Sequence, residues 1–309
     1  MKKDILPIVP YGTIPKVLLL GNGINQTFDK ASWDGLLEKI TTVKLSADEE
    51  ICLKSMPYPL RPVVLSDDKI DKQMDKIAPD MLRSKLNEEQ KMLLKEYVGI
   101  GFDAILTTNY TYEIEQTIDT SFECQYKARS KYRISTVKES NSKLNLYKCM
   151  NVSSDNRSYQ VWHVHGEAAR PNSMILGHYY YGKALSEIET YVAEFMRRYK
   201  GCNSRGLDFK PQSWVDYFLL GNVYIVGFGM DFSEMDLWWL VNCKKRHFSN
   251  CGKIYYYEPN LANSNKQGIK MVAEAYGINV ITETVNNGEY LPYYKKIINN
   301  INKRIGGNK

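Results

Sequence analysis

The stretch Lys16-Val17-Leu18-Leu19-Leu20-Gly21-Asn22-Gly23-Ile24-Asn25 decides the fold. An unbroken apolar run that stops abruptly at glycine marks a strand buried on both faces of a parallel sheet, where neither side of the pleat meets water. The pattern recurs along the chain. Ala104-Ile105-Leu106-Thr107-Thr108 stops at Asn109, and Val161-Trp162-His163-Val164 stops at His165-Gly166. Val223-Tyr224-Ile225-Val226 stops at Gly227-Phe228-Gly229, and Ile254-Tyr255-Tyr256-Tyr257 at Glu258-Pro259. Asn279-Val280-Ile281-Thr282 reads as a late edge strand.

Helical stripes separate these runs. Trp33, Leu36, Leu37 and Ile40 recur at helical spacing behind Ser32 and Asp34, both good N-cap types. Further stripes hold Ile114 and Ile118, then Ile188, Tyr191, Val192 and Phe195, then Leu237, Trp238, Leu240 and Val241. Residues 267–276 read as a short helix ending at Gly277. Such alternation predicts an α/β fold: a mostly parallel sheet with helices on both faces. The segment 41–97 departs from it, being charged, poor in strand signals and carrying prolines at 57, 59, 62 and 79. It is expected to form a smaller helical lobe inserted into one domain spanning 1–309. The polar stretch 123–160 is expected to be an irregular or hairpin excursion.

Composition narrows the function. With 309 residues the chain can build one large core or two modest ones, and its 43% hydrophobic and 25% charged residues are ordinary for a soluble globular protein. A net charge of +6 tolerates an anionic ligand but is not strong evidence for nucleic acid, whose binders usually carry clustered basic stripes; a nucleic-acid-associated enzyme using the basic tail and tyrosines is a further alternative. Lys295, Lys296, Lys303, Arg304 and Lys309 alternate with Ile297, Ile298, Ile301 and Ile305, which reads as a helix with a solvated basic face; a phosphate-binding tail is the alternative. The 23 tyrosines against 9 phenylalanines suit crevices where a ring needs a polar tip. The cysteines at 52, 124, 149, 202, 243 and 251 form no C-x-x-C pair, so a zinc ribbon is excluded. The apolar runs at 17–20 and 223–226 are far short of the ~20 residues of a membrane span. Met1-Lys2-Lys3-Asp4 leads into no sustained apolar core, so a cytoplasmic protein with reduced thiols is expected.

In an open parallel sheet ligands bind at the carboxyl ends of the strands, and the polar residues collect there. Gly21, Asn22, Gly23 and Asn25 suit a turn that brings backbone N–H groups to a pyrophosphate, with a tight turn as the alternative. Gln26 stands where G-x-G-x-x-G needs its third glycine, which disfavours a conventional dehydrogenase. Thr107 and Thr108 are good strand residues in their own right, while Asn109 can hold a ribose hydroxyl or a water. His163 and His165, two apart in a strand, are expected on one face. No cysteine or third histidine lies nearby in sequence, so no metal is expected. His165, before Gly166, suits a general base, with a structural histidine as the alternative. Gly227 and Gly229 suggest close approach of a ligand. Ser233 either caps the next helix or binds that ligand, and Glu258 is either a ribose acceptor or a turn residue before Pro259.

Taken together and in order, Gly21-Asn22-Gly23-Ile24-Asn25 with Ser32-Trp33, Thr107-Thr108-Asn109-Tyr110, His163-Val164-His165-Gly166, and Gly227-Phe228-Gly229 with Asp236-Leu237-Trp238-Trp239 resemble a known family. It is the bacterial sirtuin-like (SIR2-like) domains of anti-phage defence systems, which include NAD-degrading effectors of Thoeris-type and Argonaute-associated systems. The resemblance spans about residues 16 to 285. It implies a Rossmann-type sheet with a smaller lobe and NAD in the cleft between them. It also implies Asn109 and His165 as catalytic residues, with His163 a supporting neighbour. NAD would then lie along Gly21, Asn22, Gly23, Asn25, Thr108, Gly227, Gly229, Ser233 and Glu258. The chain departs from sirtuin deacylases at Asn22, Thr108 and Thr111 and lacks their four-cysteine zinc module. Hydrolysis of NAD to nicotinamide and ADP-ribose, as an abortive-infection effector, is therefore expected over deacylation. Control by a homo-oligomer or a separate sensor protein is implied, with nucleic acid involved only indirectly. A sensor of NAD or ADP-ribose without turnover is the alternative.

Overall fold

In the computed structural model, which describes residues 7–29, 32–66, 70–83, 85–124, 134–136, 142–154, 157–260, 264–286 and 288–306, the run at 16–20 forms β1 (Lys16–Leu20). Met1, Lys2, Lys3, Asp4 and Lys309 lie outside the described residues. The other apolar runs form β2 (Ala104–Thr107), β5 (Arg157–His163), β6 (Asn222–Val226), β7 (Ile254–Pro259) and β8 (Asn279–Glu283). Within the stretch 123–160, of which residues 125–133, 137–141 and 155–156 lie outside the described residues, β3 (Ile134–Thr136) and β4 (Lys148–Ser154) pair antiparallel on the flank of β5. The eight strands make one sheet in the order β3-β4-β5-β2-β1-β6-β7-β8, parallel from β5 through β8.

The six parallel strands, counted along the chain, lie in the order third, second, first, fourth, fifth, sixth. This is a Rossmann-like sheet, and its strand order reverses between β1 and β6. Side chains of a strand alternate between faces, and β1 shows this directly. Val17 and Leu19 enter a core shared with helices His178–Asn203, Trp214–Leu220, Met235–His247 and Ser264–Ala275. Leu18 and Leu20 enter the opposite core, shared with helices Glu88–Gly99, Glu113–Ile118 and Tyr290–Gly306. Both faces of the central strands are thus covered, which is why those strands read as unbroken apolar runs.

A third cluster joins helix Trp33–Ile40 and residues of the segment 41–97 to the strand ends. Leu36, Leu37, Ile40, Leu65, Met74 and Ile77 pack with Tyr110, which follows β2, and with Met174 and Leu176, which follow β5. Ser32 caps helix Trp33–Ile40 by accepting from the Gly35 N–H at 3.0 Å. Arg61 ties the proline-rich stretch to that helix, donating to Asp34 at 3.0 Å and to the Met56 and Lys54 carbonyls. Helix Glu88–Gly99 differs from these neighbours: Leu93, Leu94, Tyr97 and Val98 place it against the sheet.

At the reversal the turns after β1 and β6 touch backbone to backbone. A Cβ at Gly21 would lie 2.5 Å from the Gly227 carbonyl oxygen and 2.6 Å from Phe228 Cα, whereas one at Gly99 meets nothing within 4 Å. Gly21→Ala is therefore expected to cost roughly 1–3 kcal/mol by overpacking, while Gly99→Ala stays near neutral. Denaturant unfolding of both variants checks this, and equal stabilities would contradict the close approach.

Candidate active site at the strand ends

Three turns are stitched together where the strand order reverses. The Gly21 N–H donates to the Val226 carbonyl at 2.9 Å, the Gly23 N–H to the Gly227 carbonyl at 2.7 Å, and the Thr108 N–H to the Leu20 carbonyl at 3.2 Å. The amides of Gly21 and Gly23 are thus engaged within the protein, and both glycines serve the packing of turn on turn. Asn25 is buried and fixes the same turn: its Nδ2 donates to Asn22 Oδ1 at 2.9 Å, and its Oδ1 accepts from Gln90 Nε2 at 2.9 Å.

Strands β2 and β5 are neighbours with Thr107 opposite His163, so Asn109 and His165 each stand two residues beyond one register position. The two histidines do not share a face, contrary to the expectation for a strand. β5 ends at His163, and the Gly166 N–H bonds back to the His163 carbonyl at 3.0 Å, so His165 lies in a turn. His163 points toward helix Glu113–Ile118 and His165 toward helix Met235–His247, on opposite sides of the sheet.

His163 uses both ring nitrogens. Nδ1 lies 2.7 Å from the Asn109 carbonyl oxygen and Nε2 lies 2.8 Å from Glu115 Oε1. Both partners accept, so both nitrogens carry hydrogen and the ring is cationic. Burial presses its pKa down, but the charge and hydrogen bond of Glu115, helped by Glu167 and the Asn109 carbonyl, lift it to about 9. A buried ion pair thereby anchors the backbone of Asn109. The side-chain Oδ1 of Asn109 is buried with no hydrogen-bond partner among the described residues.

His165 uses one nitrogen. Its Nε2 lies 3.2 Å from Asp236 Oδ2 and 3.8 Å from Glu234 Oε2. Tyr181, from helix His178–Asn203, donates its hydroxyl to Glu234 Oε2 at 2.9 Å and sets its ring edge-on to the imidazole at 5.7 Å. Burial lowers the His165 pKa, yet Asp236, by charge and hydrogen bond, and then Glu234 leave it raised. Burial raises Glu234 to about 7, against the opposing pull of His165. The β6 turn that delivers these carboxylates is strained: Met230, fully buried, holds a φ of 47°, a region costly for a side-chain-bearing residue.

The remaining expected residues have partners of their own. Ser233 does not cap the helix, whose N-cap is Glu234; its hydroxyl donates to Asp231 Oδ1 at 2.5 Å. Glu258, the penultimate residue of β7, is buried, accepts from the Tyr256 hydroxyl, and lies 2.8 Å from Lys266 Nζ. Gly229 is exposed, and its Cβ position faces Lys266 Nζ at 3.8 Å. Sequence reading assigned no role to Glu234, Asp236, Tyr181 or Glu115. A carboxylate pair two residues apart, just past a glycine turn at a strand end, is the signal that points to the first two. One ligand atom from each of His165, Glu234 and Asp236 lies within 4.8 Å of the others, a spacing that also suits a cation. His165 and Asp236 are already joined by a hydrogen bond at 3.2 Å, and a cation held by the three side chains is the alternative there.

The family model described as SIR2-like domain matches residues 103–207, which include Asn109, His163 and His165 and stop short of Glu234 and Asp236. The match covers about a third of the chain, and this similarity to a SIR2-like domain supports NAD-related activity in general. No curated protein matches the chain. Among the described residues, no helix is long and apolar enough to cross a membrane.

Removing His163 leaves Glu115 buried without its cation, so His163→Gln is expected to lose roughly 3–5 kcal/mol at neutral pH. The folded pKa is raised, so the stabilisation is full below the ordinary 6.5 and is lost as pH rises through about 9. Urea unfolding of both proteins from pH 6 to 10 should show the gap narrowing with rising pH; a constant gap would contradict a cationic His163.

Proposed function

We propose that the chain is an NAD+ glycohydrolase, releasing nicotinamide and ADP-ribose. One observation carries this reading: Asn109 and His165 stand at the ends of adjoining parallel strands, beside the crevice where strand order reverses. The orphan Oδ1 of Asn109 fits a ribose hydroxyl or a water, because an unsatisfied buried acceptor costs about 1–3 kcal/mol until a donor reaches it. Cleavage breaks the bond between C1′ and the nicotinamide nitrogen, and the electron pair passes to that ring, which leaves neutral. Water oxygen then bonds to the oxocarbenium-like C1′, and His165 takes the water's proton. General-base help of this kind is worth about 100- to 10,000-fold.

On this reading the pyrophosphate lies over Gly21, Asn22 and Gly23, with Asn25 and Thr108 supporting that turn. Gly227, Gly229, Ser233 and Glu258 hold the adenosine half, the last two exchanging Asp231, Tyr256 and Lys266 for ribose hydroxyls. The resemblance to defence proteins extends the proposal to a cytoplasmic abortive-infection effector, kept silent until it assembles with its own copies or meets a sensor protein.

A sensor without turnover is the second reading, and the closure of the site favours it. Asn109 and His165 are buried, at 7% and 3% exposure. An open groove lined by Asn242, Arg246 and Tyr276 lies instead between helices Met235–His247 and Ser264–Ala275. Chromatography of NAD incubated with the purified chain separates the two. Nicotinamide release that falls at least about 100-fold in His165→Ala and Asn109→Ala establishes the enzyme. Normal release by a folded His165→Ala protein would sink the assignment, and binding without release would favour the sensor.

A further inference from the structure

The mechanism above gives no task to Asp236, a buried carboxylate in contact with His165. Asp236 is fully buried in the first turn of helix Met235–His247, where the positive end of the helix dipole steadies a negative charge. Its Oδ2 meets His165 Nε2 at 3.2 Å, and its Oδ1 has no hydrogen-bond partner among the described residues. We infer that Asp236 is a positioning residue that holds a hydrogen on His165 Nε2, so that Nδ1 is the nitrogen that takes the proton; this rests on the glycohydrolase reading.

A carboxylate can only accept, so the bond fixes Nε2–H in the neutral ring and leaves Nδ1 basic. No hydrogen bond reaches Nδ1 from the described residues. The ring has little freedom to flip, with Tyr181 edge-on at 5.7 Å and Phe228 at 6.5 Å and 71°. When Nδ1 takes the water's proton, the imidazolium forms against the carboxylate, and the pair passes from a net negative charge to neutral as the positive charge of the nicotinamide ring disappears. The titratable groups that face His165 come from two elements. Asp236 and Glu234 follow β6 and Tyr181 lies on helix His178–Asn203, while Tyr110, which follows β2 and is bonded to the Ile175 carbonyl at 2.8 Å, feels the charges of Glu234 and Asp236. Tyr181 occupies Glu234 Oε2, which leaves Asp236 the nearer partner of the imidazole.

The test uses the whole chain. Nitrogen NMR of His165, assigned by His165→Gln, reads the tautomer in the wild type: hydrogen on Nε2 is expected, and hydrogen on Nδ1 overturns the inference whether or not any variant folds. In Asp236→Asn, nicotinamide release should fall on the order of 100-fold with KM nearly unchanged. The His165 pKa and the acid limb of the pH–rate profile should move together to lower pH. A folded Asp236→Asn protein whose His165 pKa stays put overturns the inference. Activity abolished by a chelator and restored by a divalent cation also overturns it, since the three side chains would then serve a metal. A wild type that releases no nicotinamide, yet whose His165 pKa falls in Asp236→Asn, keeps the hold of Asp236 on His165 and removes only the glycohydrolase reading.

Discussion

Strand β1 pairs in parallel with β2 on one side and β6 on the other, and at that reversal the crossovers leave toward opposite faces of the sheet. The strand ends part there and make a crevice. Asn109 follows β2 and His165 follows β5, while Glu234 and Asp236 lie at the start of the helix after β6. Hydrogen bonds among the turns after β1, β2 and β6 then fix the relative heights of these groups. Gly21 is needed because backbone, not side chain, fills the space beside it.

Two histidines separated by one residue do different work because their surroundings differ. Acceptors meet both nitrogens of His163, which makes it a fixed cation that secures the backbone of Asn109. An acceptor meets one nitrogen of His165, which leaves the other to exchange a proton. Burying such charges is costly unless each has a partner, and the paired carboxylates Glu115 and Asp236 meet that condition. The three-residue segment 163–165 joins a structural ion pair on one side of the sheet to a proton-handling pair on the other.

Much of this was legible in the residues. Four apolar runs stopped by glycine, asparagine or histidine, with the run before Glu258-Pro259 and the late run at 279–282, located the six parallel strands, and Ser32 was a readable helix cap. Asn109 and His165 stood out because they follow such runs. Period-two alternation misled at His163 and His165, since it holds only while the strand lasts and β5 ends at the first of them. The partners were not legible, because no local spacing links His165 to Asp236, which is 71 residues away, or His163 to Glu115, 48 residues away. The glycine turn at 21–23 was readable as a close approach, but not the identity of the approaching backbone.

The most direct measurement is a crystal structure of the chain with a non-hydrolysable NAD analogue. The nicotinamide ribose should lie at the β1–β6 crevice within hydrogen-bond reach of Asn109 Oδ1 and His165 Nδ1. An analogue bound elsewhere, for instance in the groove lined by Asn242 and Tyr276, with Asn109 and His165 untouched, would contradict a catalytic site at these strand ends.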